Sequence, residues 1–74
     1  MEKIKVIFEV FATNGTTAEY EDFESLEDAR TCARVIVQIL HKIQLKPSVI
    51  VWKEIFDGSY EKVGVASMNK EEGA

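Results

Sequence analysis

Two turn dipeptides constrain this chain most, because each lies between two segments that alternate like β-strands. Asn14-Gly15 follows an alternating segment, residues 3–13, and precedes a more polar one. Asn-Gly between such segments is a strong hairpin signal. Asp57-Gly58 joins a β-branched and aromatic segment, residues 48–56, to a returning segment, residues 59–67. The sequence therefore predicts a β-hairpin on each side of its central region.

One helix is predicted between the two hairpins. Ser25 is the expected N-cap residue, and Asp28 occupies the N3 position of a capping box. Pro47 prevents the helix from continuing, because proline has no N–H and clashes with the preceding turn. Apolar residues recur three and four apart, which indicates one buried stripe. The predicted stripe consists of Leu26, Ala29, Cys32, Ala33, Ile36, Ile39, Leu40 and Ile43.

These elements predict an α+β fold with the order ββαββ. A four-stranded antiparallel sheet with strand order 2-1-3-4, carrying the helix on one face, satisfies the connections between the elements. With 74 residues, the chain is near the lower limit for a single hydrophobic core. We expect residues 1–68 to form one domain and the polar residues 69–74 to form a flexible tail.

The loop of the first hairpin decides which side chains of the second strand face the core. A two-residue loop would turn Glu19 and Glu21 toward the core face of the first strand. A three-residue loop, residues 13–15, turns Ala18 and Tyr20 there instead. We predict the three-residue loop, because it keeps carboxylates away from the core.

Charge gives the register of the second hairpin. A two-residue loop would set carboxylate against carboxylate and amine against amine, and like charges directly opposite each other are destabilising. A three-residue loop, residues 56–58, sets Lys53 opposite Glu61 and Trp52 opposite Lys62. We predict the three-residue loop here as well.

The second hairpin is apolar on both sides, although one helix covers only one face of a sheet. An antiparallel sheet with a hydrated face normally alternates between apolar and polar residues. One predicted face carries Val49, Val51, Ile55, Val63 and Val65, and the other carries Ile50, Trp52, Phe56, Tyr60 and Ala66. We expect the valine face to meet the helix and the aromatic face to meet a second copy of the chain. The predicted interface is Ile7, Phe11, Ile50, Trp52, Phe56 and Tyr60; alternatively, strand twist and the tail or loops cover this surface.

Residues 19–28 hold six carboxylates, and two interpretations remain open for them. They form either a docking surface for a basic protein, which includes imitation of nucleic-acid phosphate, or an ordinary solvated edge strand and helix start. The candidate docking residues are Glu19, Glu21, Asp22, Glu24, Glu27 and Asp28.

Three basic residues share the predicted outer face of the helix. Arg30, Arg34 and His41 either bind an anionic ligand in a site formed between protomers or form the solvated back of an amphipathic helix.

Composition and spacing argue against several functional classes. A net charge of -4 disfavours general nucleic-acid binding. His41 and Cys32 are predicted on opposite helix faces, so we expect no catalytic pair, and no metal-ligand spacing or glycine-rich phosphate loop is present. We therefore expect a non-enzyme without a cofactor. The absence of a secretory leader pattern and of a long apolar run predicts a cytoplasmic protein that does not enter membranes.

The helix start, Phe-Glu-Ser-Leu-Glu-Asp-Ala at residues 23–29, resembles the helix openings of many small α+β domains of bacteria and their phages. Short acidic domains of this kind resemble accessory proteins of phages and mobile elements. The expected function is a small intracellular protein-interaction module, homodimeric through its apolar sheet face, that binds or occludes another protein. The alternative is a binder of a small anionic ligand.

Overall fold

The computed structural model describes residues 3–56 and 58–68 in full and the backbone of residues 71–73. Its elements are β1 (Ile4–Ala12), β2 (Gly15–Phe23), α1 (Leu26–Lys42), β3 (Ser48–Phe56), β4 (Ser59–Ser67) and β5 (Glu71–Gly73). The strands form one antiparallel sheet in the order β2-β1-β3-β4-β5, and α1 packs on one face. The predicted ββαββ fold and the order of its four strands are confirmed.

The fifth strand adds to the sheet beyond β4. Residues 71–73 pair with residues 64–66 of β4. Residues 69, 70 and 74 of the predicted tail lie outside the described residues, so its flexibility stays a prediction.

The start of α1 is as predicted. Ser25 is the N-cap, with extended backbone angles, and its Oγ accepts a hydrogen bond from the Asp28 N–H at 3.2 Å. This bond satisfies one of the N–H groups that the first helical turn leaves unpaired. Glu27 and Asp28 add negative charge at the positive end of the helix.

The end of α1 is held by backbone hydrogen bonds and by two residues in the left-handed region. The helix ends at Lys42, and Gln44 and Lys46 follow with φ angles of 62° and 48°. The Leu45 N–H donates to the Leu40 carbonyl at 3.1 Å, while the Leu45 carbonyl accepts from the Thr13 N–H at 2.8 Å. The connection from α1 to β3 is therefore tied to the loop of the first hairpin.

The core lies between α1 and the middle of the sheet. Its buried residues are Val6, Phe8, Val10, Ala29, Ala33, Val37, Val49, Val51, Val63 and Ala66. Phe8 is completely buried and meets Phe23 edge to face, with ring centroids 5.5 Å apart and planes at 77°. Aromatic pairs favour this geometry because a ring edge is positive and a ring face is negative.

The buried stripe of α1 is rotated from the predicted one. Its centre is Ala29, Ala33 and Val37, whereas Ile39 and Ile43 are 57% and 61% exposed. Small side chains allow the helix axis to approach the sheet closely, so the alanines lie at the contact. Val37, which the prediction omitted, follows them at the same spacing of four.

The predicted register of the first hairpin is wrong. Ala12 pairs with Gly15, so the loop has two residues, and Glu19 lies opposite Phe8. Ala18 and Tyr20 therefore lie on the side of the sheet away from α1. The carboxylates are tolerated on the helix side because β2 is an edge strand, and all its residues from 15 to 22 are exposed to water.

The second hairpin has the predicted charge pairs but a different construction. Lys53 is opposite Glu61 and Trp52 is opposite Lys62, as predicted. Phe56 nevertheless pairs with Ser59, so these contacts depend on an extra residue at position 55 and not on a three-residue loop. Asp57, in the predicted loop, lies outside the described residues.

A second irregularity, a bulge in β4, places two residues of that strand on faces opposite to the predicted ones. The β4 partners of β3 jump from Gly64 to Lys62, which leaves Val63 as an extra residue. Beyond this bulge Ala66 joins the core, whereas Val65 pairs with Ile50 on the opposite side. The prediction had these two residues on the reverse faces. The helix does cover the predicted valine face at the other core positions of this hairpin: Val49, Val51 and Val63.

Candidate functional site

The side of the sheet away from α1 carries an apolar surface, which we call the open face. Two cross-strand rows form its centre. One row runs Tyr20, Ile7, Trp52, Lys62, and the next runs Ala18, Glu9, Ile50, Val65. Phe11 and Tyr60 extend this surface toward its two ends. The large apolar residues of the open face are Ile7, Phe11, Tyr20, Ile50, Trp52, Tyr60 and Val65.

Trp52 is the central residue of the open face. It lies on β3 with Ile7 of β1 directly opposite on one side and Lys62 of β4 on the other. Its indole Nε1 donates a hydrogen bond to the Glu9 carboxylate at 3.3 Å. The polar edge of the ring is thus satisfied within the chain, so its apolar faces are available for contact.

The structure brings five of the six predicted interface residues together. Ile7, Ile50, Trp52 and Tyr60 are half-buried on the open face, and Phe11 is 36% exposed there. The sixth, Phe56, is 71% exposed at the hairpin tip. The bulge at residue 55 sets Phe56 opposite Ser59, which takes it out of alternation with the open face. This part of the prediction is corrected.

Two large apolar residues of the open face were not predicted there. Tyr20 is 71% exposed there because of the two-residue loop, and Val65 is there because of the bulge. The preference for Asn-Gly in two-residue hairpin loops was a signal for a short first loop. No comparable signal in the sequence marks the bulge at Val63.

Charges on the open face are nearly balanced. Lys5 and Lys62 are its basic residues, and Glu9, Asp22 and Glu54 are its acidic ones. The remaining carboxylates of the acidic segment lie elsewhere. A surface of mixed sign can face a copy of itself without strong repulsion.

The predicted acidic docking residues do not form one surface. Glu19 and Glu21 lie on the helix side of β2, and Asp22 lies on the open face. Glu24, Glu27 and Asp28 are exposed around the start of α1. Alternation along an edge strand and rotation around a helix separate these carboxylates. Their role in docking stays a prediction.

The pKa of Cys32 is influenced by the two carboxylates on the helix side of β2. Burial raises the pKa of the Cys32 thiol, and the negative charges of Glu21 and Glu19 raise it further. All three influences disfavour the thiolate. Since the thiolate is the nucleophilic form of cysteine, this environment does not activate Cys32.

The three basic residues of α1 have different surroundings. Arg30 is half-buried, not on the outer face, and donates from Nη2 to the Val63 carbonyl of β4 at 3.0 Å. Arg34 donates to Thr31 Oγ1 at 3.2 Å and lies 3.7 Å from the Glu27 carboxylate. His41 is exposed near the other end of the helix. The structure does not gather them into one site, and anion binding by them stays a prediction.

Neither a metal centre nor a membrane-spanning element is found in the part of the chain that the structure describes. No three His, Cys, Asp or Glu side chains there are grouped as a metal ion requires. The helix in that part, α1, is neither long nor apolar enough to cross a membrane.

Comparison with known proteins finds no family model, curated protein or solved structure that matches this chain.

Proposed function

We propose that this protein is a small cytoplasmic interaction module that forms a homodimer through its open face and binds or occludes another protein. The observation that carries the proposal is the apolar surface around Trp52, on the side of the sheet that α1 leaves uncovered. Tryptophan, tyrosine and phenylalanine are enriched at the centres of protein interfaces, where they contribute much of the binding energy.

A second copy of the chain is the proposed occupant of the open face. Homodimers use the same patch on both subunits, so the patch must be complementary to itself. Lys5 and Lys62 are available to meet Glu9 and Glu54 across a two-fold axis, while apolar side chains occupy the centre. In addition, a small chain has few buried side chains, and a dimer supplies further buried area.

The proposed mechanism is non-catalytic. The aromatic and aliphatic residues of the open face provide affinity between the two copies. The exposed carboxylates on the helix side of β2, Glu19 and Glu21, and those of the α1 start remain outside that interface and steer a basic partner toward the dimer.

Light scattering behind size exclusion tests the self-association over about a hundredfold range of concentration. We expect the parent chain to be a dimer and Phe11→Glu to be a monomer, because the variant would bury an unpaired carboxylate in the apolar contact. Trp52→Ala should also weaken the dimer. Phe11→Glu is the more informative variant, since Phe11 is already 36% exposed and its replacement leaves the core intact.

Phe56→Ala is the matched control, because Phe56 is an exposed aromatic residue away from the open face. It should leave the dimer unchanged. A monomeric parent chain at every concentration would contradict self-association. If Phe56→Ala were monomeric while Phe11→Glu stayed dimeric, the dimer contact would lie elsewhere on the chain.

A further inference from the structure

β2 is a long and regular edge of the sheet. It is nine residues long, and on one side it pairs with β1 without any shift of register. On its other side it has no strand partner among the described residues. Its residues from 15 to 22 are all exposed. The outer backbone N–H and C=O groups of this edge are accessible to another strand.

Sheet edges are usually protected from pairing by proline, by lysine and other charged side chains, by inward-pointing charges, by bulges, by short length or by a covering element. β2 contains neither proline nor lysine, and its register has no bulge. Its charged residues are all carboxylates: Glu19, Glu21 and Asp22. These repel an acidic strand and attract a basic one. The protection that β2 carries is therefore negative charge, which excludes acidic strands and admits basic ones.

A groove beside β2 adds an apolar contact to this edge. It lies between β2 and α1, has a volume of about 260 Å³, and is lined by Val10, Thr17, Glu19, Ile36, Ile39 and Leu40. Ile39 is 57% exposed at its rim. Glu19 and Glu21 lie on this helix side of β2, whereas Tyr20 lies on the other side. An added strand would thus find carboxylates on one face and an exposed aromatic ring on the other.

Charge argues against a second copy of β2 as the added strand in the antiparallel registers that pair its acidic residues with one another. Antiparallel pairing centred on Glu19 would set that residue against its own copy. Pairing centred on Tyr20 would set Glu19 against Glu21 on both sides of the centre. Like charges directly opposite each other destabilise a sheet, and the chain as a whole carries a net charge of -4. The preferred partner is a different chain with positive charge.

We propose that β2 binds an extended, basic segment of a partner protein by strand addition, as a sixth strand of the sheet. Residues of that segment opposite Glu19 and Glu21 are lysine or arginine. The residue between them, opposite Tyr20, is aromatic or β-branched. Main-chain hydrogen bonds provide affinity, and the alternating side chains provide specificity. This proposal rests on the proposed function for the partner being a protein, and it is independent of self-association.

The test uses a labelled peptide of the length of β2 in which lysine alternates with valine. Fluorescence anisotropy measures its affinity for the whole chain, and hydrogen exchange locates the amides that binding protects. We expect binding that weakens with salt and protects amides of β2. A glutamate–valine peptide of the same pattern, and a lysine–valine peptide with its lysines contiguous, should bind more weakly.

The double variant Glu19→Gln, Glu21→Gln tests the two carboxylates that face α1. It should weaken binding of the lysine–valine peptide by about two- to thirtyfold, as expected for the loss of two cross-strand ion pairs. The matched control is Glu24→Gln, Glu61→Gln, which removes the same charge from exposed residues outside β2. The control should retain nearly all the affinity.

Three results would overturn strand addition at β2: no binding of the alternating basic peptide, binding without protection of β2 amides, or equal binding of the acidic peptide. Light scattering on the same samples measures the oligomeric state, so a failure of strand addition can be distinguished from a failure of self-association. A dimer that binds no peptide refutes strand addition alone. A monomer whose β2 amides the peptide protects refutes self-association alone.

Discussion

Arg30 links α1 to the bulge in β4, and its replacement has a calculable effect on stability. Its guanidinium donates to the carbonyl of Val63, the extra residue of the bulge, at 3.0 Å. The bulged residue has no register partner on β3, and this hydrogen bond from α1 satisfies its carbonyl. Arg30→Met keeps most of the apolar stem but removes the donor.

The expected loss follows from the carbonyl that the substitution leaves unsatisfied. A partly buried polar group without its partner costs about 1–3 kcal/mol. A chain of 74 residues has a total unfolding free energy of roughly 4–11 kcal/mol. The variant therefore loses a substantial fraction of the stability. The melting temperature should fall by at least about 4 °C, at about 4–8 °C for each kcal/mol.

Arg34→Met is the matched control for this measurement. Arg34 is one helical turn away, and it contacts Thr31 and the exposed Glu27 on the same helix. Ion pairs at the surface contribute about 0–1 kcal/mol. Urea unfolding followed by circular dichroism measures both variants. If Arg30→Met and Arg34→Met have equal stability within about 0.5 kcal/mol, Arg30 does not support the bulge.

Two further predictions concern the helix end and the first hairpin. Gln44→Gly should raise the unfolding free energy by about 1 kcal/mol, because Gln44 has a φ of 62°, which glycine adopts without strain. A urea midpoint that falls would contradict this. Glu21→Gln should lower the pKa of Cys32, since it removes a negative charge that disfavours the thiolate. The rate of Cys32 alkylation by iodoacetamide should then rise at a lower pH than it does in the parent chain. Glu24→Gln should leave this pH dependence unchanged. An unchanged profile in Glu21→Gln would favour the three-residue loop, which turns Glu21 away from α1.

Much of the candidate interaction surface was predictable from alternation. Ile7, Ile50 and Trp52 lie several residues away from both hairpin loops. Their side of the sheet therefore followed from alternation with the core residues beside them. Tyr20 was misplaced because a rule about carboxylates was applied to an edge strand. The rule fails there because water reaches both sides of β2, so a carboxylate on the helix side stays hydrated.

The sequence by itself determined the order of the elements, the antiparallel hairpins, the cap at Ser25 and the end of the helix before Pro47. Each of these follows from interactions between residues close together in the chain. Turn chemistry, capping and periodicity act over a few residues and need no knowledge of the rest of the fold.

The tertiary structure alone decided the faces of β4, the rotation of α1 and the position of Arg30. A bulge changes alternation for every residue beyond it, and the gain that stabilises it comes from distant contacts. Val63 remains in the core below α1, and Arg30 satisfies its carbonyl from across that contact. Because the bulge depends on helix and sheet packing together, alternation within β4 was not sufficient to predict it.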